Sequence, residues 1–245
     1  MKGIVIIKME KIKGLINNEL KNWNKFDYLW MIIANAVIIG VSLYFHDSAI
    51  GIISSITGTI CVILTGMGRM SNFIFGTINI IAYAIVAYKA TYYGDVMLNL
   101  FYYLPTNIIG WFMWKKHMND ESGEVIKRKL TLKMEIIIAA LSIAGILVYG
   151  YFLKKYTNDA LPYTDSMSTV LSIVAQLLLL KRYMEQWIIW IVVDGVSIFM
   201  WVMAFFNGGE SIATLLMWSV YFINAIFMFI KWYRESKENN CEVNS

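Results

Sequence analysis

Residues 186–206 read Gln-Trp-Ile-Ile-Trp-Ile-Val-Val-Asp-Gly-Val-Ser-Ile-Phe-Met-Trp-Val-Met-Ala-Phe-Phe, a run whose one charged side chain is Asp194 in the middle. A helix of about 20 apolar residues crosses the roughly 30 Å hydrocarbon core of a bilayer. Backbone N–H and C=O groups must pair within the segment in lipid, and runs this long exceed a barrel strand, so a helix is the reading. Seven further runs share this character, at about 28–45, 49–66, 72–89, 96–114, 134–153, 164–180 and 211–232. The predicted fold class is an all-α integral membrane protein with eight transmembrane helices. His46, Asp47 and Ser48 leave so short a turn that one long bent element, and seven helices in all, is the competing count.

Composition agrees with this reading. Of 245 residues, 58% are hydrophobic and 16% charged, against about 45–50% and 25% in ordinary soluble domains. Little chain remains for an extramembrane domain. Cys61 lies in an apolar run and Cys241 in a polar tail, which argues against a disulfide. No nucleic-acid partner is implied by the net charge of +4, because the position of the charges matters more than their sum. With the N-terminus inside, 18 of the 21 lysines and arginines become cytoplasmic, leaving Lys89, Lys154 and Lys155 outside. The positive-inside rule selects that orientation, with both termini cytoplasmic. The expected organisation is a cytoplasmic segment 1–27, a membrane domain 28–232 and a cytoplasmic tail 233–245. Residues 1–25 lack the apolar core and cleavage site of a secretory signal. They read either as a basic amphipathic helix on the inner surface or as a solvated tail.

Residues 71–114 and 186–232 share a pattern. Asn72, Phe75 and Asn79 match Trp187, Trp190 and Asp194 at a constant offset of 115, and Asn107 matches Asn224 after a two-residue lengthening around Asn207-Gly208-Gly209. This predicts two three-helix repeats, about 49–114 and 164–232. Each odd-numbered unit ends opposite its start, so a linker helix, 134–153, is needed between them. The repeats are then parallel, a 3+1+3 arrangement of the kind seen in sugar carriers of the SWEET type, plus one extra N-terminal helix.

Positions i, i+3 and i+7 share a helix face, so Trp187, Trp190 and Asp194 form one stripe, continued by Ser197 and Trp201. Asn72, Phe75, Asn79 and Tyr83 form its counterpart. With a rise of 1.5 Å per residue, Asn79, Asp194, Asn107 and Asn224 all lie roughly 10–12 Å from the inner boundary. A lone amide commonly glues helices. A carboxylate at that depth costs on the order of 3 kcal/mol and usually faces a cavity or a partner. Indoles beside it suit a flat, cationic solute through stacking and cation–π attraction.

In these stretches the chain resembles the PnuC family of vitamin transporters. The resemblance rests on Ser71 to Asn79, on Asn107 to Trp114, on the run from Asp165 through Lys181-Arg182-Tyr183, and on Glu185-Gln186-Trp187-Ile188-Ile189-Trp190. It extends over about 49–232, and its Trp-x-x-Trp pair points toward the nicotinamide riboside carriers. The fourth residue after Trp190, often Asn in the family, is Asp194 here. What the resemblance implies is a homotrimer in a bacterial cytoplasmic membrane that takes up nicotinamide riboside by facilitated diffusion, with accumulation by phosphorylation inside the cell. Candidate substrate-binding residues are Trp187, Trp190, Asp194, Asn72, Phe75, Asn79, Asn107, Asn224, Tyr221 and Gln176. Thiamine, which is also cationic, is the alternative cargo. No catalytic residue, metal site or cofactor is expected. G-x-x-x-x-G-K, H-E-x-x-H and G-x-S-x-G motifs are missing, which speaks against an ATP-driven pump and a membrane enzyme, and a proton-coupled carrier would have Asp194 as its deep titratable group.

Overall fold

A computed structural model describes residues 19–90, 92–119, 121–157, 162–206 and 212–243. Residues 1–18, most of the stretch 1–25 expected either on the inner surface or in solvent, lie outside the described residues. Helices α1 (Lys25–Tyr44), α2 (Ala49–Gly66) and α3 (Asn72–Lys89) are followed by α4 (Tyr93–Met97), a π-helical segment (Leu98–Tyr103) and α5 (Leu104–Lys115). Then come α6 (Leu132–Tyr156), α7 (Pro162–Leu180), α8 (Gln186–Phe206) and α9 (Ile212–Val243). Among the described residues seven helices, all except α4 and α5, are long and apolar enough to cross a membrane, and no strand forms beyond two isolated bridges.

The short turn after Tyr44 resolves into two separate helices. Asn24 and Asp27 form a reciprocal capping box that starts α1. His46 then takes a left-handed φ of 56°, and Ser48 caps α2 by accepting the Gly51 N–H at 3.2 Å. Asp47 in that turn accepts the Ala213 N–H at 2.7 Å, so it also caps the first turn of α9. At the far end α9 does not stop at Trp232 but continues to Val243, so most of the tail expected from 233 is helical. Lys231 and Glu235, one turn apart, both join an ionic cluster described below.

The stretch 93–115 is helical throughout, but its hydrogen bonding widens at Leu98–Tyr103. Pro105 explains the change. Its missing N–H and its ring cannot be accommodated by the i−4 carbonyl of a regular helix, and a wider turn just before it relieves the clash. Asn99 Nδ2 donates to the Asp95 carbonyl and Thr106 Oγ1 to the Tyr102 carbonyl, so side chains help satisfy the altered stretch.

Packing neighbours define a closed ring of six helical elements among the described residues, in the order α2, α3, α5 with its π segment, α7, α8, α9 and back to α2. Helix α1 packs outside the ring on α2 and α9, and α6 packs outside on α7. Small residues allow the close approaches. A Cβ at Gly110 would stand 2.5 Å from Phe73 and 2.8 Å from Leu180, and one at Gly150 would stand 2.4 Å from Tyr163. The ring has two seams where non-consecutive helices meet, and each is closed by an indole. Trp114 Nε1 of α5 donates to the Leu179 carbonyl of α7 at 3.1 Å, and Trp232 Nε1 of α9 donates to the Gly66 carbonyl of α2 at 2.7 Å.

Both seams lie at the end of the bundle richest in basic residues. There α2 and α7 terminate in the same way. Gly68 and Arg182 adopt φ of 69° and 65°, and each turn carries paired bonds back to the helix, Gly68 and Arg69 to Thr65 and Leu64, and Arg182 and Tyr183 to Leu179 and Leu178. Residues 121–131 of the following loop run across this end. Val125 N–H donates to the Gly68 carbonyl at 2.9 Å, and Arg128 N–H to the Arg182 carbonyl at 2.8 Å. Glu124 pairs with Lys127, Arg69 and Lys231, and Lys127 also pairs with Glu235. Although burial pushes the Glu124 carboxyl up, Lys127, Lys231 and Arg69 outweigh it and hold the group below its ordinary value of 4.5.

Two consequences are measurable in detergent-purified protein. Gly110→Val overfills the Phe73–Leu180 contact and should lower stability by about 1–3 kcal/mol, seen as a fall in melting temperature, whereas Gly40→Ala, which meets nothing within 4 Å, should not. A depressed folded-state carboxyl contributes stability above its unfolded value and loses it as pH falls through the folded value. The melting temperature should therefore drop as pH is lowered below 4.5, and Glu124→Gln, less stable at neutral pH, should show a shallower drop.

Candidate binding site

Inside the six-membered ring lies a cavity of about 150 Å³. Helices α2, α3, α7, α8, α9 and the π-helical stretch all contribute to its wall. Eight of the ten residues singled out from sequence line it: Asn72, Asn79, Asn107, Gln176, Trp187, Trp190, Asp194 and Tyr221. The remaining two do not. Asn224 is fully buried outside the wall, donating to the Val62 carbonyl at 3.1 Å and accepting Trp30 Nε1 at 3.3 Å. It ties α1 and α2 to α9, which is the helix-gluing role open to any membrane amide. Phe75 is half-buried and also lies off the wall.

The stripe logic places Trp187, Trp190 and Asp194 on one wall through their shared face of α8, and Asn72 and Asn79 on another through α3. Asn79 Nδ2 donates to the Ser54 carbonyl at 2.8 Å. Asn107 Nδ2 donates to the Phe73 carbonyl at 2.7 Å and to Thr77 Oγ1 at 2.8 Å. Gln176 Nε2 donates to Thr106 Oγ1 at 3.3 Å. Because the amide nitrogens are committed to the protein, the amides offer carbonyl oxygens to the interior. Asp194 adds a carboxylate that is 98% withdrawn from solvent, since only 2% of it is exposed, and no salt bridge reaches it among the described residues. The lining is rich in acceptors and aromatic faces, with no Lys or Arg among its described residues. Trp187 keeps a buried indole N–H without a hydrogen-bond partner among the described residues.

Two glycines set the shape. A Cβ at Gly58 would fall 1.9 Å from the Tyr221 hydroxyl and 2.6 Å from Asn79 Nδ2, and one at Gly76 would fall 3.1 Å from Cys61 Sγ and 3.2 Å from Asn107 Oδ1. On the side away from the basic end, Tyr83 donates to Asp95 Oδ2 at 2.9 Å and accepts Trp201 Nε1 at 3.3 Å, joining α3, α4 and α8 over the cavity. On the basic side the floor is aromatic. Trp187 meets Trp232 edge-on at 5.7 Å, Trp114 lies 6.4 Å from Trp232, and Phe73 meets Trp114 edge-on at 5.2 Å.

Sequence reasoning missed Cys61, Thr65, Asn99, Tyr103, Met217 and Trp218 as wall residues. For Asn99 and Tyr103 a signal existed. They precede Asn107 at steps of four, a spacing that drifts off one face of a regular helix but is brought inward by the widened turn before Pro105.

The family described as "Nicotinamide mononucleotide transporter" matches residues 48–234. The nicotinamide riboside transporter PnuC of Neisseria mucosa is 36% identical over 223 residues, covering 89% of this chain and 84% of that protein. The Haemophilus influenzae protein of the same name is 32% identical, covering 90% of this chain and 95% of its own length. A crystal structure of the vitamin B3 transporter PnuC superposes with a TM-score of 0.84 at 35% identity, covering 92% of this chain and 98% of that one.

Proposed function

This chain belongs to the nicotinamide mononucleotide transporter family, and from that premise we propose that it carries nicotinamide riboside through the central cavity by facilitated diffusion. It is a multi-pass membrane transporter for that riboside and not an enzyme. The observation that supports the cavity as the binding site is its lining, a desolvated carboxyl group, three indoles and several side-chain amides without any basic side chain among the described residues.

Nicotinamide riboside has a flat, permanently cationic pyridinium, a carboxamide and a ribose. The pyridinium pairs with Asp194 and stacks against Trp190 and Trp187, a contact worth about 0.5–2 kcal/mol when desolvated. Ribose hydroxyls and the carboxamide N–H groups donate to Asn72, Asn79, Asn107, Gln176 and Tyr221. A mononucleotide would bring a phosphate beside Asp194 with no guanidinium or ammonium to receive it, and burying an unpaired charge is costly. The riboside is therefore the cargo and the mononucleotide is not. Phosphorylation in the cytoplasm then yields a product the cavity rejects, which supports accumulation without coupling to an ion gradient. Thiamine shares the positive charge and is the alternative guest.

The ring of packed helices supports two parallel three-helix repeats, α2, α3, α4–α5 and α7, α8, α9, with α6 as linker and α1 as the extra helix. Rotating the neighbour order by three places maps each helix onto its counterpart, and the matched turns at Gly68 and Arg182 agree. The stretch 93–115 serves as the eighth crossing. Charge distribution supports a cytoplasmic basic end in a bacterial inner membrane, and family resemblance supports a homotrimer.

Titration calorimetry on the purified protein should give binding of nicotinamide riboside and at least a hundredfold weaker binding of the mononucleotide. Trp190→Ala and Asp194→Asn should each weaken riboside binding roughly tenfold or more, about 1.4 kcal/mol. Thiamine, riboflavin and deoxynucleosides belong in the same panel, and tight thiamine binding with none for the riboside would reassign the cargo. Proteoliposomes that accumulate labelled riboside only under a proton or sodium gradient would overturn uncoupled transport.

A further inference from the structure

The loop 116–131 is more than a connection between α5 and α6. Its Val125 amide holds the turn after α2, and its Arg128 amide, three residues on, holds the turn after α7. Three extended residues span at most about 11 Å. While both bonds stand, the basic ends of the two halves cannot move apart. Side chains strengthen each anchor. Arg69, fully buried, donates to the carbonyls of Ser122 at 3.2 Å and Gly123 at 3.0 Å. Arg182 donates to the Ile126 carbonyl at 3.1 Å, and Glu185 accepts the Leu130 N–H at 3.0 Å.

The loop also reaches the floor of the cavity. Val125 packs in the same buried cluster as Trp114, Trp187 and Trp232. Lys127 Nζ lies 5.8 Å from the centre of the Trp232 ring while paired with Glu124 and Glu235, so one ammonium touches loop, helix end and floor. Glu235 sits on the part of α9 that continues past Trp232. Trp232 in turn meets Trp187, which is a cavity wall.

We propose that residues 121–131 are a latch on the inner exit of the cavity, clasping both halves through Val125 and Arg128 and locked to α9 by the Glu124–Lys127–Glu235 chain of charges. Release of this clasp lets the halves separate, moves Trp232 off Trp187 and opens the cavity to the cytoplasm. The latch rests on the transport reading above, because only a carrier needs that floor to open.

Cys61 lines the cavity and provides a reporter. With Cys241→Ser, it is the one remaining thiol of the chain. A membrane-impermeant methanethiosulfonate applied to inside-out and right-side-out vesicles reads the accessibility of Cys61 from each face, with Cys61→Ser as the blank. In Lys127→Met, and separately in Glu235→Gln, the half-exposed and milder site, labelling from the cytoplasmic face should rise about tenfold or more while labelling from the outer face stays level or falls. No rise in either variant, or an equal rise from both faces, overturns the latch. Calorimetry with nicotinamide riboside on the same proteins separates the two ideas. Riboside binding with unchanged labelling sinks only the latch, and no riboside binding by the parent protein sinks the transport reading instead.

Discussion

The ring stands on two indole hydrogen bonds. Consecutive helices are kept together by their turns, but α5 meets α7 and α9 meets α2 without such help. In each case a tryptophan donates to a carbonyl in the last turn of its neighbour, and at Leu179 that carbonyl also accepts the Arg182 N–H of the closing turn. The exchange satisfies two polar groups in a region with little water and fixes the axial register of the two halves. Lipid provides no hydrophobic drive to join helices, so specific donors and close small-residue contacts must do it. Phe73, Trp114, Trp187 and Trp232 then pack as one layer, and the same indoles that close the seams become the floor of the cavity.

Polarity in the molecule is graded by depth, and the gradient follows solvation. At the basic end, where water is near, the chain uses full charges, in the cluster of Arg69, Glu124, Lys127, Lys231 and Glu235. Deeper, at Asn79, Asn107 and Gln176, it uses neutral amides whose nitrogens are taken by neighbouring protein oxygens. Asp194 breaks the gradient. Burying a carboxylate is tolerable where it faces a cavity that admits water or a cation.

Much of this wall was legible because it depends on helical periodicity alone. Trp187, Trp190 and Asp194, with Asn72 and Asn79, sit where steps of three and four on an unbroken helix put them. The parts that were not legible depend on tertiary choices. Asn107 and Asn224 are matched in the repeat read from sequence, yet Asn107 faces the cavity while Asn224 is bonded to Trp30 of α1. Periodicity cannot foresee a partner supplied from 194 positions earlier in the chain. Asn99 and Tyr103 depend on a widened turn, and the loop 116–131 has no periodicity to read. Its role follows from backbone bonds to Gly68 and Arg182 that no side-chain pattern encodes.

That divergence of Asn107 from Asn224 bears on how the proposed two-fold frame would hold a guest without two-fold symmetry. A riboside has one charged ring and one sugar, so a symmetric lining would offer it two equal and competing poses. Here α8 presents the Asp194 carboxyl and the Trp187–Trp190 face, while α3, α5 and α7 present the amides of Asn72, Asn79, Asn107 and Gln176. For the proposed cargo, charge and stacking would favour one orientation of the ring and leave hydrogen-bond acceptors for the sugar and carboxamide. In the proposed carrier, symmetry would serve the motion of the two helix trios and asymmetry would serve recognition. In the proposed repeat Asp194 stands opposite Asn79, where the residue types differ, and Asn224 opposite Asn107, where the types agree but the surroundings differ.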